Sequence, residues 1–266
     1  MDWSALWTLD AWLLSYAMLV SLGAGFVRGY TGFGYSVLVV SLLAPFAPPG
    51  PVVAAVLILE VVGSLSHLRG TAPHIDRGWF RTLLVGNLFT VPLGVAALAW
   101  LPLDALRLLV GASLLCAALL LRASAGRVLP SSGAVRGVAA VSSGLLNGLA
   151  ASGGIVAALL MASTRPSPQA LRSTMIVWLL CIGLYVLAWA AAMPLLGRGP
   201  APTTLLGADA LRWVLVLWPT MAVGLGLGRR RFDTASAAQF RHVVLNLLVV
   251  ASTLALALAI WKAKRG

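Results

Sequence analysis

Two ionisable side chains lie deep inside apolar segments of this chain, and both could contact a charged ligand. Arg28 lies near the centre of the apolar segment 12–47, and Glu60, the only glutamate, lies in the run VVAAVLILEVVGSLSHL. A charge at such a depth in a membrane segment costs at least ~2.5–3.5 kcal/mol unless a partner or a water-filled cavity offsets it. Arg28 could therefore hold an anionic group with its planar donor fork, or form a structural pair with Glu60 or with free backbone carbonyls.

Glu60 leaves three roles open. A buried carboxylate either pairs with a cation or takes up a proton. Glu60 could therefore couple the movement of a solute to protons, pair with Arg28, or hydrogen-bond a neighbouring helix in its protonated form. His67, seven residues further on, is expected to be an ordinary histidine near a loop.

The elements around these side chains are apolar helices. Of the 266 residues, 60% are hydrophobic and 10% are charged, whereas a soluble domain is usually about 25% charged. An apolar run of about 20 residues spans a bilayer as a helix. The sequence therefore predicts an all-α integral membrane protein with a single transmembrane domain over 1–266. Its eight apolar segments are 12–47, 51–68, 79–101, 105–121, 134–163, 171–196, 205–227 and 240–261.

The net charge of +12 does not indicate nucleic acid. Most arginines form short clusters between apolar runs, as in cytoplasmic loops of membrane proteins. With the N-terminus outside, the clusters at 69–81, 122–136 and 229–231 all fall on the inner side. The basic residues at the C-terminus do not fit this topology, so the side on which that terminus lies stays open.

The segments 12–47 and 134–163 are too long for one upright helix, and glycines interrupt both. The apolar flanks of each glycine-rich centre are about 10–13 residues long, enough to cross about half a bilayer. Each segment is therefore predicted to be a discontinuous or re-entrant helix. The centres at 23–34 and 144–154 are expected to meet near the membrane midplane, because paired interruptions of this kind indicate the binding site of a secondary transporter.

The two glycine-rich segments also resemble each other. A shift of 119 residues superposes Gly25 on Gly144, Gly29 on Gly148 and Gly34 on Gly153. This weak duplication predicts two repeats, 12–121 and 134–261, each with one broken segment and three ordinary helices. If each broken segment enters and leaves on one side, the repeats are inverted relative to each other.

The predicted binding residues lie at the two glycine-rich centres, where half-helix N-termini present free N–H groups to an anion. Ser36 is as readily explained by bonding to its own helix, and Asn87 and Asn246 by helix–helix hydrogen bonds. The predicted set for the substrate is Arg28, Tyr30, Thr31, Gly32, Phe33, Gly34, Asn147, Ser152, Gly153 and Gly154, with Glu60 as a coupling or ion-pair residue.

The spacing of these glycines resembles the TauE/SafE family of membrane permeases, also called sulfite exporters. The first copy of the motif is Gly25, Gly29, Gly32 and Gly34, and the second has Ala151 where the third glycine would stand. The resemblance implies a duplicated permease of the bacterial cytoplasmic membrane. It further implies transport of small anions, often sulfur-containing ones such as sulfite, sulfonates or sulfoacetate.

The sequence thus predicts a secondary transporter that works by alternating access, with a small anion, the lipid bilayer and a candidate proton as its partners. No motif for an enzyme, a cofactor or a metal site stands out. A membrane-embedded enzyme or lipid-handling protein, an accessory subunit and a channel remain as alternatives. The oligomeric state, the substrate and the direction of transport stay open.

Overall fold

The computed structural model describes residues 10–43, 46–47, 49–100, 128–192 and 207–233, with four single positions at 239, 246, 253 and 257. The predicted segment 105–121 lies outside the described residues, as does 240–261 apart from three of those positions. The all-α prediction is confirmed for the described part of the chain. Its helices are α1 (Ala11–Thr31), α2 (Tyr35–Leu43), α3 (Pro49–Ser66), α4 (Arg77–Trp100), α5 (Gly133–Ala150), α6 (Gly153–Ser163), α7 (Pro168–Ala192) and α8 (Ala208–Asp233), with a 3-10 turn at Ala72–His74.

A glycine turn separates α1 from α2. The N–H of Gly32 closes α1 by donating to Arg28 O at 2.7 Å. Gly32 and Gly34 have φ angles of 87° and 94°, a region that glycine enters without steric cost. These two glycines therefore end the first helix and reverse the chain direction.

The second helix returns alongside the first. The Tyr16 hydroxyl donates to Leu42 O at 3.2 Å. The rings of Trp12 and Phe46 meet edge to face with centroids 5.3 Å apart. Because residues near the start of α1 contact residues near the end of α2, both open ends of this hairpin lie at the same end of the molecule.

The expected flanks of 10–13 residues are wrong for the first helix of each hairpin. α1 has 21 residues and α5 has 18, whereas α2 and α6 have 9 and 11. α1 continues through Gly25 and Gly29 because these glycines allow α8 to approach closely. A Cβ at Gly25 would lie 2.7 Å from Met221 O, and one at Gly29 would overlap Leu225 O. Close helix packing, rather than chain reversal, accounts for these two glycines.

A second hairpin joins α5 to α6. Ala151, between the two helices, has a φ of 52°, and its N–H donates to Asn147 O at 3.1 Å. At the open end of the hairpin, the N–H of Leu129 donates to Ser163 O at 3.1 Å. An alanine therefore makes here the left-handed turn that glycine makes in the first hairpin, at some cost in backbone strain.

The two halves exchange packing partners. α1 packs mainly against α8, and α5 packs mainly against α4, so the first helix of each half contacts the fourth described helix of the other half. Each pair runs parallel, as Gly25 and Gly29 face Met221 and Leu225 in order. α3 and α7 pack against each other, α3 against α8 and α7 against α4.

The described helices suit a bilayer. Four of them are long and apolar enough to cross it by length and composition, over Ala11–Thr31, Arg77–Ala96, Pro168–Trp189 and Ala208–Asp233. Their outer faces expose large apolar side chains, such as Phe89 at 72% and Leu19 at 67%. Exposed apolar surface of this kind is compatible with lipid rather than water, and the chain is a multi-pass membrane protein.

Candidate functional site

A buried ion pair lies at the first helix break. Arg28 is in the last turn of α1, and its Nη1 lies 3.2 Å from Oε1 of Glu60 in α3. The two residues are 3% and 4% exposed. Each charge offsets the cost of burying the other. Of the partners that the sequence leaves open for Arg28, the structure thus provides Glu60 and also backbone carbonyls, as Arg28 contacts the main-chain oxygens of Glu60 and Gly32.

The other edge of the Arg28 guanidinium binds groups that carry no charge. Its Nη2 donates to the main-chain oxygen of Glu60 at 3.2 Å and to Ser64 Oγ at 2.6 Å. Nη1 also lies 3.5 Å from Gly32 O. The guanidinium is therefore fixed to α3 through two bonds that do not involve the carboxylate.

The Glu60 carboxylate also binds the start of α2. Its Oε1 accepts the N–H of Ser36 at 3.2 Å, and Ser36 is the second residue of α2. A helix N-terminus favours a negative charge and a helix C-terminus favours a positive one. The carboxylate at the start of α2 and Arg28 at the end of α1 both satisfy this preference, so the ion pair joins the two helix ends across the break.

The other predicted residues of the first break make mostly local contacts. Thr31 Oγ1 lies 2.8 Å from Val27 O and accepts the N–H of Phe33 at 3.2 Å. Tyr30 is buried, and its ring meets the ring of Phe232 in α8 with centroids 6.2 Å apart. Phe33 is fully buried in a cluster that also holds residues of α5, α6 and α7.

The second break carries an amide in place of the arginine. Asn147 Oδ1 accepts the N–H of Gly153 at 3.0 Å. Its Nδ2 is buried and has no hydrogen-bond partner among the described residues. Ser152 Oγ lies 3.5 Å from Leu146 O, and Gly154 faces Leu179, whose Cδ2 would be 3.2 Å from an added Cβ. A free donor thus remains beside the start of α6.

Three further buried polar atoms have no partner in the described part of the chain: Asn87 Oδ1, Trp178 Nε1 and His67 Nε2. Buried polar atoms are normally paired, so each is a candidate contact for a ligand or a water. The amide nitrogen of Asn87 donates to Ala140 O at 2.9 Å and to Ser143 Oγ at 3.1 Å, which links α4 to α5. The exposed Asn246 makes no such link that the structure describes.

Arg172 is the main residue that sequence reasoning misses. Its Nη2 and Nε donate to Gly29 O at 2.9 and 3.3 Å, and its guanidinium carbon lies 4.5 Å above the centre of the Phe232 ring. It therefore connects α7 to the ends of α1 and α8. Arg172 stands second in a predicted apolar segment, where an arginine reads as an ordinary interfacial residue. Ser64 and Trp178 are missed because hydroxyl and indole groups are common in membrane helices.

His67 lies in the turn after α3 and is partly buried. Burial and the nearby Arg172 lower the pKa of His67 to about 4, although a bond to Gly63 O acts in the opposite direction. Its Nδ1 lies 3.1 Å from that carbonyl oxygen. The imidazole is therefore neutral at physiological pH.

A known protein family matches most of the chain. The family model described as "Sulfite exporter TauE/SafE" matches residues 17–255, a range that includes both helix breaks, Arg28 and Glu60. Searches of the curated proteins and of the solved structures found no match.

Proposed function

Because the chain belongs to the sulfite exporter TauE/SafE family, we propose that it is a secondary transporter that moves a small anion across the bacterial cytoplasmic membrane. The candidate substrates are sulfur-containing anions such as sulfite, a sulfonate or sulfoacetate. The observation that carries the proposal is the buried guanidinium of Arg28 beside a helix break. A desolvated guanidinium suits an oxygen of such an anion.

Alternating access follows from two inverted repeats. The packing exchange between the halves supports this arrangement, because α1 contacts α8 and α5 contacts α4 in the same parallel orientation. In transporters with inverted repeats, one repeat or bundle rocks against the other around a site between them. The chain has no ATP-binding motif, so the gradient of the substrate or of a coupling ion drives transport.

The substrate site is formed by the ends of the two hairpins. Arg28 and the start of α2 provide donors from the first half. The free Nδ2 of Asn147 and the start of α6 provide them from the second. Tyr30, Thr31, Gly32, Phe33, Gly34, Ser152, Gly153 and Gly154 shape the two turns. Phe33 and Ala151 share one buried cluster, which supports a common site for both turns.

The test is transport by the purified protein, reconstituted alone in liposomes. Radioactive sulfite and a labelled sulfonate are supplied outside, and uptake is measured with and without the unlabelled anion inside. We expect saturable uptake and acceleration by the internal anion, which is counterflow. A channel would show no counterflow, and an accessory subunit would show no uptake above that of empty liposomes.

Two variants separate transport from leakage in that assay. Arg28→Ala should lose uptake, since it removes the buried fork. Arg212→Ala is the matched control, because Arg212 also pairs with a carboxylate, that of Asp209 at 2.9 Å, but on the exposed surface. Uptake by Arg28→Ala at the rate of the unchanged protein would refute the assigned site.

A further inference from the structure

We infer that the carboxylate of Glu60 is a built-in anion that occupies the substrate's place, and that the substrate binds only when Glu60 takes up a proton and leaves. One proton would then enter the site with each singly charged anion. The inference rests on the proposed transport function and adds how anion binding is coupled to protons.

The bonds of Glu60 define a site for one oxygen of an anion. Oε1 accepts from Arg28 Nη1 and from the N–H of Ser36, both at 3.2 Å. These donors are a guanidinium and the first turn of a nine-residue helix, the two kinds of group that most often bind sulfonates, phosphates and carboxylates. In the structure this site is occupied by the protein's own carboxylate.

The donors would remain in position after the carboxylate has left. Arg28 Nη2 is held by the main-chain oxygen of Glu60 and by Ser64 Oγ at 2.6 Å, and neither bond needs the carboxylate. The N–H of Ser36 belongs to helical backbone. Movement of one side chain would thus free Arg28 Nη1 and the N–H of Ser36 together, which gives a preorganised place for a second anion.

Charge balance then requires a proton. The pair of Arg28 and Glu60 is neutral as a unit, and both residues are more than nine-tenths buried. Adding an anion to a site of low dielectric constant without removing a charge is strongly unfavourable. If the Glu60 carboxylate accepts a proton to form the neutral acid, Arg28 and the incoming anion form a neutral pair again.

Among the residues that the structure describes, the other ionisable groups around α3 do not supply this balance. Tyr35 of α2 interacts electrostatically with both Glu60 and Arg28, but its hydroxyl is bonded to Ser21 Oγ at 2.9 Å. Arg172 of α7 binds Gly29 O. Arg229 of α8 acts electrostatically on His67, which lies in the turn after α3 and is neutral at physiological pH.

The experiment measures protons taken up per anion bound. The purified protein is titrated with methanesulfonate, which does not titrate near neutral pH, by calorimetry in buffers with different ionisation enthalpies. We expect uptake of about one proton with methanesulfonate. The affinity for methanesulfonate should fall about tenfold for each unit by which the pH rises, over the range in which Glu60 is ionised in the empty site.

Variants test whether Glu60 is the group that takes up the proton. Glu60→Gln should bind methanesulfonate with no proton uptake and with an affinity that does not change with pH. Ser64→Ala is the control: it removes one bond to Arg28 but no charge, so affinity should drop while proton uptake stays. If Glu60→Gln does not fold, the proton count and pH dependence of the unchanged protein still decide.

Binding of methanesulfonate by the unchanged protein without proton uptake would overturn the inference and leave the proposed transport function intact. Full proton uptake by Glu60→Gln would also overturn it, since another group would then be responsible. If the unchanged protein neither binds methanesulfonate nor transports sulfite or the labelled sulfonate, the proposed function itself fails and the inference fails with it.

Discussion

Arg28 stabilises the first helix break through two kinds of contact. One edge of its guanidinium forms an ion pair with Glu60, and the other edge donates hydrogen bonds to uncharged groups of α3. Arg28→Ala would leave the carboxylate of Glu60 buried without a cation, which costs about 3–5 kcal/mol. We expect loss of sulfite uptake and a large decrease in the apparent unfolding temperature in detergent. Arg28→Lys keeps the charge, but a lysine cannot bind Glu60 Oε1, Glu60 O and Ser64 Oγ together. Compared with Arg28→Ala, it should therefore restore stability in part and sulfite uptake to a smaller extent.

The matched control for this prediction is again Arg212→Ala. Its pair with Asp209 has side chains that are 32% and 68% exposed, and such a pair contributes about 0–1 kcal/mol. The unfolding temperature of Arg212→Ala should therefore change little. An Arg28→Ala protein as stable as Arg212→Ala would mean that the buried pair is not needed for folding.

Residue type alone is enough to select Arg28 and Glu60 from the sequence. A charge in the middle of an apolar segment is expensive, and Arg28 and Glu60 are the only charged residues of the first half that lie there. The hydrogen bonds around these two residues cannot be predicted from residue type. The bonds to the N–H of Ser36 and to Ser64 depend on how α1, α2 and α3 are arranged, and neither group differs in type from many serines that bond only to their own helix.

At the level of helices, glycine packing predicts a difference between two substitutions in α1. Gly29→Ala would place a methyl group against the backbone of Leu225, whereas Gly23→Ala meets nothing within 4 Å. Overpacking a close contact costs about 1–3 kcal/mol, while alanine in an open helix position stabilises by roughly 0.5–1 kcal/mol. The unfolding temperature should fall for Gly29→Ala and stay or rise for Gly23→Ala. Equal effects would show that α1 and α8 do not pack as closely as described.

The contact of Arg172 with Phe232 predicts that two substitutions are coupled. The guanidinium lies 4.5 Å above the ring centre, a geometry that contributes about 0.5–2 kcal/mol. In a double-mutant cycle on unfolding, Arg172→Gln and Phe232→Leu should together cost less than the sum of the two separate effects. Phe89→Leu, at an exposed position of α4, is the control and should be additive with Arg172→Gln.

The helix boundaries could be predicted only in part. A glycine-rich stretch indicates that the chain changes direction, and the turns at Gly32–Gly34 and Ala151–Ser152 lie inside the predicted stretches. The same stretches contain Gly25 and Gly29, which remain helical because α8 lies against them. Sequence spacing cannot distinguish a glycine that ends a helix from one that admits a neighbouring helix, since the partner is almost 200 residues away.

At the level of the whole molecule, helix packing relates the two predicted repeats more closely than residue identity does. Only a few glycines superpose under the shift of 119 residues, yet each half places its first helix against the fourth described helix of the other half. Packing of this kind makes the halves depend on each other for their cores. Neither half is therefore expected to fold alone. When one half moves relative to the other, helices must slide or rotate at the contact of α1 with α8 and at the contact of α4 with α5.

If the two predicted repeats are inverted, the hairpins open on opposite sides of the membrane. Phe46 lies at the open end of the first hairpin and Ser131 near that of the second, and both are exposed. In a protein with Cys116 and Cys181 replaced by serine, an impermeant maleimide added to intact cells should label Phe46→Cys. It should label Ser131→Cys only after permeabilisation, because basic residues on both sides of Ser131 favour the inner side.

Gly70→Cys, in the turn beside Arg69, is the control for the inner side. Labelling of Phe46→Cys and Ser131→Cys from the same side would exclude inverted repeats and leave the rocking of one half against the other without a structural basis.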